Sequence, residues 1–84
     1  QVTTGRLNRV LAEVTESYTP PVVKGRQVKF FYANQVGTVP PEFRIVTNFP
    51  DSIQPGYHRY LIHSFKKALS LQGVPIKLRF VPRS

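Results

Sequence analysis

The side chains of this sequence best able to do chemistry are its cations. Twelve lysines and arginines face four acids, for a formal net charge of +8 and a pI near 10.5. Such an excess points first to nucleic-acid phosphates and second to an anionic membrane surface. Lys29, Arg44, Lys77 and Arg79 lie in segments that alternate as strands do, so they are expected together on the outer face of a sheet. Arg59, His63, Lys66 and Lys67 fall on the polar side of a helix, and Lys24 and Arg26 on a connector. The chemistry open to such a set is neutralisation of phosphates without reading of bases. Phe31 and Val46 fall outward beside these cations. An apolar and basic face can stack bases or dock another domain, and the alternation leaves both open.

The remaining reactive side chains form no catalytic or metal-binding set. The acids are Glu13, Glu16, Glu42 and Asp51. Glu13 and Glu16 share a helix face, where solvation and pairing with nearby arginines account for them. His58 and His63 are five residues apart, off the i, i+4 alignment of a metal-binding helix. Ser52, Ser64 and Ser70 have no neighbouring base with an orienting group. No GxxxxGK[ST] phosphate loop occurs. The chain is expected to be non-catalytic, with no metal and no cofactor of its own.

Chain length and hydrophobic periodicity define what must position the cations. Residues 1–84 make one small domain. No cysteine is present, so packing rather than disulfides must hold it, with a lean to the cytoplasm. No apolar run approaches a membrane span, and no signal peptide is visible. The first residue is Gln1 rather than Met, as expected for a module of a longer chain.

Leu7, Val10, Leu11, Val14 and Tyr18 form one stripe of a helix over Thr4 to Ser17, capped by Thr3 or Thr4 and ended by Pro20-Pro21. A strand is predicted from Val28 to Asn34, with Val28, Phe30 and Tyr32 on one side and Lys29, Phe31 and Ala33 on the other. A loop over Gln35 to Pro41, marked by Gly37 and Pro40-Pro41, leads to a strand from Phe43 to Asn48. Residues 50–53 are expected to make a short helical turn. A second helix runs from Pro55 to Leu71, with Tyr57, Tyr60, Leu61, Phe65, Ala68 and Leu69 inward and Gly73 as its stop. The last strand is Ile76 to Val81, stopped by Pro82. Tyr32, Tyr57 and Tyr60 are expected in the core. The order α-β-β-α-β gives a two-layer α+β domain, a three-stranded sheet covered on one face by two main helices.

That order resembles the type II KH topology, and particular residues narrow the resemblance. Leu7-Asn8, Gly25-Arg26 followed by Lys29, Tyr32 and Gln35, then Pro40-Pro41, Phe43 and Asn48 are similar to the C-terminal KH-like domain of the Der (EngA) tandem-GTPase family. So are Tyr57-His58-Arg59-Tyr60-Leu61, as that family's YxRYL segment, and Pro75 with Arg79 in the last strand. The resemblance covers almost the whole chain. It implies a bacterial protein with two GTPase domains outside this segment, where GTP and Mg²⁺ bind, and a role in maturation of the large (50S) ribosomal subunit. It also implies ribosomal RNA, the ribosome and the GTPase domains of the same chain as partners, with no membrane and a monomeric state. Ordinary KH domains clamp nucleic acid with a GXXG loop. Ile53-Gln54-Pro55-Gly56 stands in its place here, so contact must use another surface. Arg26, Lys29, Phe31, Arg44, Arg59, Lys66, Lys67, Lys77 and Arg79 are the expected docking residues.

Overall fold

The Thr3 hydroxyl accepts from the Arg6 N–H and caps the first helix, α1 (Thr4–Ser17). Tyr18, just beyond it, is extended, and the two prolines that follow keep the chain from continuing the helix. A connector leads to β1 (Phe30–Thr38) and β2 (Pro41–Thr47), then α2 (Pro55–Ala68) and β3 (Lys77–Pro82). The computed structural model describes all residues, 1–84. The expected α-β-β-α-β order and KH-like two-layer arrangement are present.

The sheet order is β1-β2-β3, with β1 antiparallel and β3 parallel to the central β2. A parallel β3 requires a crossover, and α2 supplies it. Its Tyr57, Leu61 and Phe65 join Leu7, Val10, Leu11 and Val14 of α1 over the inner face of the sheet, where Ala33, Phe43, Ile45 and Leu78 lie buried. No buried side-chain polar atom lacks a partner.

Edge strands leave backbone groups unpaired, and Asn8 deals with this on β1. Its amide nitrogen donates to the carbonyls of Ala33 and Thr4, and its oxygen accepts from the Ala33 N–H, each at 2.8 Å. Asn48 does the same where β1 begins. Its side-chain oxygen accepts from the Lys29 N–H at 2.9 Å, and its nitrogen donates to the Gln27 carbonyl at 3.1 Å.

Strand alternation fails at one residue of β1. A bulge at Phe31 lets Phe30 pair with Thr47 and Tyr32 with Val46, so Phe30 and Ala33 face inward while Tyr32 and Asn34 face outward. Ala33 is therefore core and Tyr32 is 46% exposed, the reverse of the sequence expectation. The expected loop over Gln35 to Pro41 is mostly strand. β1 runs through Gly37 with a second irregularity at Val36, and the reversal occupies only Val39–Pro40, whose peptide bond is cis. A Cβ on Gly37 would come within 3.3 Å of the Glu42 Cβ, so glycine serves close strand approach there.

Smaller corrections have similar local causes. α2 ends at Ala68 because a left-handed residue already comes at Ser70 (φ 57°), ahead of the expected stop at Gly73 (φ 83°), and the Leu71 N–H bonds back to the Lys66 carbonyl. Ala68 is consequently exposed rather than core. Residues 50–53 hold a turn closed by Ser52 N–H to the Phe49 carbonyl, not a helix. Pro82 lies within β3, as an edge strand permits.

The tyrosines lock the helices together. Tyr57 and Tyr60 donate to the carbonyls of Tyr18 and Val14, both at 2.6 Å, at the carbonyl end of α1. Tyr18 is 55% exposed and lays its ring against both. Burial, with the Tyr60 and Tyr18 phenols adding to it, pushes the Tyr57 hydroxyl well above the ordinary value of 10.0. It thus stays protonated as a donor.

Asn8→Leu removes all three amide bonds and leaves the Ala33 backbone unpaired. It is expected to lower stability by about 2 kcal/mol in urea unfolding; a loss below about 0.5 kcal/mol would show that water replaces the amide. Because the folded-state value of Tyr57 is raised, its contribution is complete below about pH 10 and lost as pH rises further. Tyr57→Phe is expected to cost about 1 kcal/mol at neutral pH and to flatten the alkaline fall in melting temperature. Equal alkaline slopes for both proteins would contradict that assignment.

Candidate nucleic-acid interface

The helices cover one face of the sheet, and the other carries the cations. Register places Arg44 of β2 beside Arg79 of β3 and Glu42 beside Lys77. Because paired residues point to the same side, all four lie outward, with Asn34 opposite Arg44 on β1. The Arg44 Nε donates to the Asn34 side-chain oxygen at 3.1 Å, which holds the guanidinium along the sheet. Arg79 approaches Glu42 at 3.5 Å, the only ion pair in the structure. The Arg79 side chain remains 59% exposed, so this pair is surface-screened and leaves the guanidinium accessible.

The expected apolar residues are on this face but are largely filled. Val46 is only 2% exposed, although it belongs to the outer face. Tyr32 and Val81 flank it in the adjoining strands. Phe31, displaced by the bulge, lies under the guanidinium of Arg83 at 3.9 Å. Arg83 is the cation that sequence reasoning missed. The signal was its odd-numbered parity with Lys77 and Arg79, had β3 been carried through Pro82 rather than stopped there.

The other predicted residues do not share this face. Lys29 stands one residue ahead of β1, outside the pleat, and lines a cleft with Thr15 of α1 and Thr19 beyond that helix. Arg26 closes a small turn with Val23 and places its guanidinium over the Phe49 ring at 5.3 Å, at the end of the sheet. Lys24 and Gly25 make that turn, both with positive φ. Arg59, His63 and Lys66 line one depression on α2, with Gln72 and Gly73 beyond the helix. Lys67 is turned instead towards α1, beside Glu13, Ser17 and Tyr60. The expected docking set thus divides among separate surfaces.

The position of the KH clamp is occupied by a helix start. Gln54 flanks α2 without a side-chain capping bond, and Pro55-Gly56 open it. Nearby, His58 packs edge-on against Phe80 at 5.2 Å and lines the groove between α2 and β3. Its neighbour His63 lies apart in the α2 depression. No group of three or more His, Cys, Asp or Glu could hold a metal ion, and no helix is long and apolar enough to cross a membrane.

Comparison with known proteins agrees with this architecture. The family described as the KH-domain-like domain of EngA bacterial GTPase enzymes, C-terminal, matches residues 1–80. Relatives named GTPase Der include one from Geotalea uraniireducens, 43% identical over 99% of this chain and 19% of the relative. The protein from Geobacter metallireducens is 44% identical over 95% of this chain and 18% of its own length. That from Nitrosococcus oceani is 48% identical over 92% and 17%. The chain spans about a fifth of the length of these curated relatives.

Proposed function

The chain belongs to the KH-domain-like family found at the C-terminus of EngA bacterial GTPases, and on that premise we propose that it is a non-catalytic module holding a Der-type GTPase on ribosomal RNA during assembly of the large subunit in the cytoplasm. The observation that carries this reading is the outer sheet face. Arg44 and Arg79 stand side by side in register, Lys77 and Arg83 extend the patch, and Glu42 is its one acid. Held on strands, these cations are pre-positioned for a phosphate track, and arginine suits bidentate phosphate contact. The face offers neutralisation rather than base readout. GTP and Mg²⁺ chemistry belongs to the domains that relatives carry outside this segment.

Docking against those GTPase domains is the second role. Tyr32 supports it, as a large aromatic 46% exposed on the same face, beside Phe31. Sharing one face between a protein neighbour and RNA makes the two partners alternatives.

With about five phosphates engaged, log affinity for a ribosomal RNA fragment is expected to fall with log salt at a slope of roughly −3.5 to −4.5. Arg44→Glu with Arg79→Glu should lower affinity about tenfold or more and flatten that slope, with the circular dichroism spectrum unchanged. Glu42→Gln, which frees Arg79, should raise affinity roughly two- to threefold. Affinity unchanged in the folded double variant, or insensitive to salt in the parent, would refute the outer-face reading.

A further inference from the structure

We propose that the module carries two phosphate-binding surfaces facing opposite ways, and so bridges two RNA backbones. This rests on the reading of the outer sheet face given above and adds a second site to it. The second site is the depression of about 280 Å³ on α2 lined by Arg59, His63, Lys66, Gln72 and Gly73. Arg59, His63 and Lys66 follow one another at spacings of four and three residues, so they share one helical stripe. The buried stripe of the same helix, Tyr57, Leu61 and Phe65, packs on the inner face of the sheet. The cationic stripe therefore looks away from the sheet, and the Arg44–Arg79 face looks the other way.

The depression has the chemistry of a phosphate site. Arg59 offers a planar fork of donors and Lys66 a point charge. Gln72 adds a neutral amide, and His63 an imidazole able to hydrogen-bond. No acid lines it. Glu13 and Glu16 lie on α1, Glu42 is held by Arg79, and Asp51 precedes α2. Gly73, with φ of 83° and no atom within 4 Å of where a Cβ would stand, leaves the rim open to a backbone. A generally cationic helix would not look like this, since the adjacent Lys67 faces Glu13 and Tyr60 instead. A stiff duplex touches a convex body on one side only. The two sets, separated by both layers of the fold, therefore engage separate duplexes or separate arms of a folded RNA.

The test mixes the chain with two short RNA duplexes, one labelled with a fluorescence donor and one with an acceptor. Energy transfer is expected, at two duplexes per protein monomer by sedimentation. Arg59→Glu with Lys66→Glu should abolish transfer while leaving single-duplex affinity within about threefold of the parent. The neutral pair Arg59→Gln with Lys66→Gln should weaken transfer in the same direction and controls for any folding defect. Arg44→Glu with Arg79→Glu should also abolish transfer yet leave one duplex bound through α2. A parent protein that binds one duplex but gives no transfer overturns the bridging proposal alone. So does transfer that survives in the folded α2 variants or that comes from a protein dimer. A parent that binds no duplex overturns the outer-face reading as well.

Discussion

Ala33 turns its backbone N–H and carbonyl onto the side chain of Asn8, and the geometry of the outer face depends on that contact. β1 has a partner strand on one side only. Without the amide, part-buried backbone groups at its centre would be unpaired, and a strand edge with free groups is prone to slip or pair elsewhere. Asn8 closes the edge and fixes Ala33 against α1, with its side chain fully buried in the core. With Ala33 inward, the pleat turns Tyr32 and Asn34 outward. Asn34 then holds Arg44, and Arg44 lies beside Arg79. The bulge at Phe31 sets which side chains reach solvent on the outer face, and hydrogen bonds on the helix side of the sheet hold that register in place.

The scarcity of acids makes this positioning consequential. A net charge of +8 on 84 residues gives the cations few partners, and one ion pair is formed. Attachment of the helices relies on apolar packing and neutral hydrogen bonds, notably the two tyrosine hydroxyls on the carbonyl end of α1. Charge is left free at the surface, where its attraction to a polyanion is weakened by salt. A member of the EngA C-terminal family built this way separates its duties. Neutral contacts hold the fold, and the cations form a single ion pair.

The helices were legible because their apolar residues recur at helical spacing over several turns, and Leu7, Val10, Leu11 and Val14 are buried as that spacing requires. The outward set Arg44, Lys77 and Arg79 was legible for the same reason, since β2 and β3 alternate without interruption. β1 was not. In the Phe30-Phe31-Tyr32 run all three residues are aromatic, so an extra residue leaves no trace in the pattern, yet the bulge at Phe31 exchanges the faces of Tyr32 and Ala33. Gly37 and the prolines read as a loop because their local preferences are those of turns, whereas pairing with Glu42 keeps Gly37 in the strand. Helical proximity likewise could not show that Lys66 and Lys67 line different surfaces. Tertiary neighbours decide that, and Arg83 was hidden by treating Pro82 as an end.

The central claim is that strand register, not the loop clamp of ordinary KH domains, presents the phosphate-binding cations. Its most direct measurement is a titration of the isotopically labelled protein with an RNA duplex, following the arginine side-chain Nε–H resonances by NMR. Arg44, Arg79 and Arg83 should shift first, and Arg59 as a second duplex is added, while amides around Gln54 and Gly56 stay unmoved. Shifts centred on residues 53–56 with Arg44 and Arg79 unchanged would contradict it.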